Sequence, residues 1–228
     1  SDMKHYLTLR PAREEQTIST GLSNDALRLE RKGDIKGAIN YLKFQVNEKS
    51  PSNLPLHLAT LYAKVGDQAN ALTNATQAVN KSDQEKDVSN GLSARMLRAS
   101  LYAKQRDFAA AIKDCSTVIE LSSKAEPVAA KGQHAMALML RAECYQQTHK
   151  LTEAMNDINQ VIKQNPDLIV PFETRGTIYL ASGKQYKEAV ADFSKVLKSN
   201  PNLDKARMGR AEAYGALKQY KAAIQDYT

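Results

Sequence analysis

Residues 171–201 read PFETRGTIYLASGKQYKEAVADFSKVLKSNP. Phe172, Gly176 and Tyr179 fall at i, i+4 and i+7, and Ala189, Phe193 and Val196 repeat that spacing, whereas Gly183 to Gln185 between the two sets is polar. Apolar positions at a helical period on both sides of a short polar turn predict a helical hairpin. Pro171 stands where the first helix begins and Pro201 just after the second ends, the places where proline leaves a helix intact. Gly176 and Ala189 are small enough to let two helices approach closely, and Tyr179 and Phe193 fill the space beside them. A hairpin of this kind cannot bury its apolar face alone, so neighbouring copies must stack on it.

Copies are present. Asn165-Pro166 and Asn200-Pro201 lie 35 residues apart. Ala142-Glu-Cys-Tyr145, Gly176-Thr-Ile-Tyr179 and Ala211-Glu-Ala-Tyr214 align, and Ala59-Thr-Leu-Tyr62, Ala99-Ser-Leu-Tyr102 and, more weakly, Ala26-Leu-Arg-Leu29 extend the series upstream. An alanine follows 12 residues later in five units (Ala38, Ala71, Ala111, Ala154, Ala223), and 13 later in the sixth, at Ala189. The turns Lys32-Gly33-Asp34 and Val65-Gly66-Asp67 offer a glycine to end one helix and an aspartate to cap the next.

These residues resemble the tetratricopeptide repeat (TPR) family. Phe172, Arg175-Gly176, Tyr179, Gly183, Tyr186, Ala189, Phe193 and Pro201 match its pattern best, with one extra residue near Gln185 and Val196 where the family prefers alanine. Leu138, Ala142, Tyr145, Leu151, Ala154, Ile158 and Pro166 match next best. The resemblance implies an all-α fold, a right-handed superhelical solenoid of antiparallel helix pairs, with repeats at 19–51, 52–91, 92–134, 135–168, 169–203 and a truncated 204–228. Two units are overlong, and their excess falls in the polar stretches 83–91 and 126–134, which reads as inserted loops or helix extensions. Residues 1–18 form a lead-in whose Ser1-Asp2-Met3 reads as a vector remnant. Thr228 stops within a helical pattern, so the expectation is a piece of a longer chain.

Composition removes several classes of function. At 42% hydrophobic and 25% charged residues the chain is too apolar for disorder. No apolar run reaches membrane-spanning length and residues 1–18 carry no signal-peptide core, so the expectation is a soluble, cytoplasmic protein. Lys and Arg number 32 against 25 Asp and Glu, a formal charge of +7. The positive charge is dispersed; its densest cluster, Arg28 to Lys32, is broken by Leu29 and Glu30. That dispersal disfavours a nucleic-acid footprint, which gathers its cations on one face.

Motifs for catalysis, cofactors or metals are absent. There is no phosphate-binding GxxxxGK[ST], with Gly176 to Lys184 wrongly spaced, and no HExxH, GxSxG or aspartate-rich calcium loop. His5, His57, His134 and His149 are scattered and read as solvated imidazoles. Cys115 and Cys144 have no zinc-ligand spacing and sit on apolar faces, where free cysteine packs as a small hydrophobe. Asn74-Ala-Thr76 and Asn80-Lys-Ser82 match the glycosylation acceptor pattern by chance. The expectation is a non-enzyme that needs no cofactor.

Resemblance to the TPR family implies that positions 2, 5, 9, 12 and 13 of each repeat line a concave groove. They are Ser23, Leu27 and Arg31; Asn53, Leu56, Thr60 and Lys64; Met96, Ser100 and Lys104; Met136, Met139, Glu143 and Gln147; Val170, Glu173 and Thr177; Lys205, Met208 and Glu212. Four of the six methionines fall here, and methionine adapts to varied apolar partners. Lysines at one end and glutamates in the middle predict a ligand of mixed charge. The clamp with which some TPR domains grip the acidic tails of heat-shock chaperones is missing: its positions hold Ser23 and Leu27, His57, then Ser93 and Leu97, and Lys205 alone matches. The last repeat, Arg210 to Tyr214 and Tyr220 to Tyr227, is also similar to repeats of J-domain co-chaperones. The reading is a protein-interaction module, an adaptor or co-chaperone holding a peptide of a partner. A helical-repeat nucleic-acid binder and the rigid arm of an enzyme encoded elsewhere are the alternatives.

Overall fold

The computed structural model describes residues 24–124 and 128–228, and the lead-in with Ser23 lies outside them. Among the described residues there are twelve helices and no strand. They are α1 (24–31), α2 (Ile35–Gln45), α3 (Asn53–Lys64), α4 (Gln68–Glu85), α5 (Val88–Lys104), α6 (Phe108–Ser123), α7 (Val128–Gln147), α8 (Leu151–Gln164), α9 (Val170–Ser182), α10 (Tyr186–Ser199), α11 (Asp204–Ala216) and α12 (Tyr220–Tyr227). None is long and apolar enough to cross a membrane. The chain forms two compact units, one reaching to Leu101 and one running from Tyr102 to Thr228.

The turns explain the hairpins. Each first helix ends in a residue of left-handed backbone, and the next residue or two begin the second helix. Gly33 (φ 81°) and Gly66 (φ 82°) take this conformation without steric cost, while Arg106, His149 and Lys218 adopt it at φ 58–63° against the preference of a β-carbon. Asp34, Asp67 and Asp107 then accept a hydrogen bond from the backbone of Gly37 (2.8 Å), Asn70 (3.1 Å) and Ala110 (3.1 Å), satisfying amide groups that a helix start leaves unpaired. Excess residues 83–91 are helix rather than loop: α4 runs on to Glu85, α5 starts at Val88, and Asp87 caps it through Asn90 N–H at 3.0 Å. Gly91 is buried there under Ser82 and Arg95. Of the second polar stretch, residues 128–134 open α7; residues 126 and 127 lie outside the described residues.

In the first unit α2 packs on α3 and α3 on α4, around Leu42, Leu54, Leu58, Leu61 and the alanines 26, 38, 59, 71 and 75. In the second, each helix from α6 to α12 packs on the next, and α9 also touches α7 and α11, so α7, α9 and α11 lie side by side. The small-residue skeleton acts here as the sequence predicts. Phe193, 1% exposed, sits so close to α9 and α11 that a β-carbon at Gly176 or Gly209 would stand 2.9 or 2.5 Å from its ring. On α12 the stripe Tyr220, Ile224 and Tyr227 is 62–63% exposed.

Candidate functional site

The row of α7, α9 and α11 is held by a ladder of buried ion pairs. Arg141 donates through Nε and Nη2 to both oxygens of Asp157 at 2.8 and 2.7 Å, and through Nη1 to Ser116 Oγ at 2.9 Å. Arg175 does the same to Asp192 (2.7 and 2.9 Å) and Asn159 Oδ1 (3.0 Å), and Arg210 to Asp226 (2.8 and 2.6 Å) and Ser194 Oγ (3.2 Å). The three carboxylate side chains are only 7–8% exposed. Each arginine therefore ties a first helix to its own partner helix and to the partner helix of the preceding hairpin. The hydrogen-bonded carboxylate holds each guanidinium even further above its ordinary pKa, so all three stay charged.

This ladder is what the sequence reading missed. Its signal is spacing: Arg141, Arg175 and Arg210 precede their aspartates by 16 or 17 residues, and Arg98 and Asp114 stand 16 apart as well. The extra residue near Gln185 accounts for the one 17.

The same helices carry the positions that the sequence assigns to a groove in the second unit. Lys205 Nζ pairs with Glu173 Oε1 at 2.8 Å, joining α11 to α9, with Glu173 16% and Lys205 73% exposed. Lys205, Met208 and Glu212 of α11, Thr177 and Leu180 of α9 and Tyr227 of α12 line one cleft of about 380 Å³, with Phe193 at its base. Met136, Val170 and Met208 are 59, 56 and 61% exposed. Met139 is half-buried and packs against the cores around Ile158 and Leu138, so it is shared between face and interior. Thr177 Oγ1 donates to Glu173 O of its own helix at 2.7 Å, which leaves it an acceptor toward the face. Glu143 and Gln147 are exposed on α7. Partial desolvation by the neighbouring helices raises the Glu143 carboxyl above its ordinary pKa; Lys205 opposes this and Glu173 adds to it.

In the first unit the structure brings Lys64 to Glu30 of α1, which also lies 3.2 Å from His57 Nε2. The hydrogen bond from Lys64, chiefly, then that from His57, holds the Glu30 carboxyl below its ordinary pKa against the opposing effect of burial. Thr60 and Ser100 donate their hydroxyls to Leu56 O (2.9 Å) and Leu97 O (2.7 Å) within their own helices. Leu56 packs against Ala78, Val79 and Ala94, Asn53 and Met96 are half-buried, and Arg31 is exposed, as is Lys104 near the start of the second unit.

Two histidines differ from the expectation of solvated rings. His57 is engaged by Glu30, and His134 lies 2.9 Å from Ser122 Oγ and 3.3 Å from the Gln160 amide nitrogen. The Ser122–His134 contact has the look of a nucleophile and base, yet its protons run the wrong way. With the Gln160 amide donating to Nε2, the ring carries its hydrogen on Nδ1 and gives it to Ser122, whose own hydroxyl goes to Ile119 O at 3.2 Å. Among the described residues no group of three metal-ligating side chains converges. Cys115 and Cys144 are free and buried, and burial above all pushes their thiols up to about 12 and about 11, which keeps both protonated at neutral pH.

Profiles of the tetratricopeptide repeat match residues 92–124, 136–167 and 174–228, together more than half of the chain. A stretch of 100 residues is 31% identical to heat shock protein STI1 of Saccharomyces cerevisiae, covering 41% of this chain and 17% of that protein. Among solved structures, PilW, a type IV pilus biogenesis factor, superposes with a TM-score of 0.72 at 14% identity, over 92% of this chain and 90% of that one. The MamA protein of Desulfovibrio magneticus does so with a TM-score of 0.66 at 18% identity, over 82% and 97%. At those identities the two superpositions speak to the fold.

Proposed function

The chain belongs to the tetratricopeptide repeat family, and from that premise we propose that it is an adaptor module whose second unit holds a peptide segment of a partner protein along the face of α7, α9 and α11. The observation that carries this is the placement of apolar surface. While most leucines and alanines of the hairpins are buried, Met136, Val170 and Met208 on α7, α9 and α11 stand more than half exposed, and Met208 lines the cleft between α9, α11 and α12. Exposed methionine costs little entropy to rearrange around a partner, which suits such a surface. The ladder supports the reading too. Its arginines are committed to aspartates, so they are unavailable to phosphates and weaken the nucleic-acid alternative. The arrangement of Lys and Asn needed to grip an acidic carboxylate tail is missing from the sequence, so a co-chaperone role, if the partner is a chaperone, runs through another contact.

The test is affinity capture from a cell lysate with the whole chain and with a Met136→Arg, Met208→Arg variant. Both positions are exposed, so the variant keeps its circular-dichroism spectrum. Proteins retained by the parent and lost by the variant identify the face as the working surface; identical retention by both refutes the assignment. A Lys187→Glu change on the exposed side of α10 serves as the control that leaves capture intact.

A further inference from the structure

The face of α7, α9 and α11 has an unbalanced charge. Lys131 in the first turn of α7 apart, the cations of these helices are all paired: Arg141 with Asp157, Arg175 with Asp192, Arg207 with Asp204, Arg210 with Asp226 and Lys205 with Glu173. Two carboxylates are left over. Glu143 on α7 and Glu212 on α11 are both exposed and have no hydrogen-bond or ion-pair partner among the described residues. A chain with a formal charge of +7 thus offers, on the face with its exposed methionines, two unpaired negative charges.

We propose that the segment taken by this face is a basic, apolar peptide, whose Lys or Arg side chains pair with Glu143 and Glu212 while its apolar side chains cover Met136, Val170 and Met208. This rests on the groove reading above and narrows its ligand from mixed charge to positive. An acidic segment would bring carboxylates against carboxylates, so the charge favours a basic one. Packed helices lie about 8–10 Å apart, so α7 and α11, each against α9, set the two glutamates roughly 16–20 Å apart. An extended peptide advances about 3.3 Å per residue, which places its two basic residues about five or six positions apart.

Selection from a random-peptide phage library on the immobilised chain tests this without assuming the partner. The expected winners carry Lys or Arg at that spacing among apolar residues. As free peptides in fluorescence anisotropy they bind about tenfold more weakly to a Glu143→Gln, Glu212→Gln variant, and more weakly at high salt. Winners that are neutral or acidic, or basic winners indifferent to both glutamines, overturn the charge assignment. The Met136→Arg, Met208→Arg variant separates the two readings: if it abolishes binding of neutral winners, the groove stands and the basic ligand falls. If no selected peptide is sensitive to it, the groove itself is wrong and this inference goes with it.

Discussion

Replacing Arg175 by methionine breaks one rung of the ladder, and the geometry sets what that costs. The guanidinium makes three hydrogen bonds of 2.7–3.0 Å and lies 5.4 and 5.7 Å from the ring centres of Phe172 and Tyr179. Methionine replaces much of the packing, and Asn159 is exposed enough for water to take over its bond. Asp192 is the problem: its side chain is 7% exposed and loses both charged donors at once. A buried charge stripped of its partner costs about 3–5 kcal/mol, so Arg175→Met is expected to destabilise the second unit by about 3 kcal/mol. The double variant Arg175→Met, Asp192→Leu removes the stranded charge and recovers most of that loss, because a buried ion pair and a well-packed apolar pair are close in stability. Lys205→Ala breaks a pair whose lysine is 73% exposed and costs less than about 1 kcal/mol. Urea denaturation followed by circular dichroism gives the differences. Amide hydrogen exchange across α8–α10 locates them, since a repeat array opens in parts. An Arg175→Met cost within about 1 kcal/mol of the parent, or a double variant no better than the single, refutes the reasoning.

Gly209→Ala places a β-carbon 2.5 Å from Phe193 Cζ, and the buried ring has little room to retreat, since it also sits close enough to Gly176 that a β-carbon there would stand at 2.9 Å. Overpacking of about 1–3 kcal/mol outweighs the gain of at most about 1 kcal/mol in helix propensity, so the thermal midpoint falls; adding Phe193→Leu restores it, and Gly215→Ala, with open space around it, does not lower it. Glu30→Gln tests the contact of α1 with α3. A carboxyl held below its ordinary pKa in the folded chain stabilises above the ordinary glutamate range and loses that stabilisation as pH falls through the lowered value. The variant is therefore less stable than the parent by about 1 kcal/mol at neutral pH, and the two thermal midpoints converge in acid; a gap that persists there removes the charge from the explanation.

Much of this architecture is legible from spacing because steric requirements recur with the period of the repeat. Gly176, Ala189 and Phe193 announce a close helix approach in one dimension as clearly as in three, since only small residues fit opposite a ring. Asp34 and Asp67 announce helix starts because the cap bond spans three residues. Ion pairs are harder to see. Arg175 stands among the residues of the repeat pattern, and its partner lies on the other helix of the hairpin. Read along the chain it is a surface charge. Its commitment to Asp192 follows from the hairpin geometry, and that geometry is known only after the fold. Stretch 83–91 left loop and helix extension open for the same reason: its polar residues have partners distant in sequence, Asp83 with Arg95 and Glu85 with the Ser52 amide.

The pairing also decides what net charge can say about a binding surface. A formal +7 describes a sum over residues, whereas a ligand meets only charges that remain uncompensated where it lands. Arg141, Arg175 and Arg210 count fully in the sum and not at all on the face, because each carries its own counter-charge within 3 Å. Lys205 is exposed yet spent on Glu173. What remains is set by the acids without partners, and these are few, so two glutamates outweigh a surplus of seven cations spread elsewhere. Replacing Glu143 and Glu212 by glutamine changes the sum by two and removes the negative charge that a peptide on α7, α9 and α11 encounters, whereas neutralising two dispersed surface lysines changes the sum as much and leaves that charge intact.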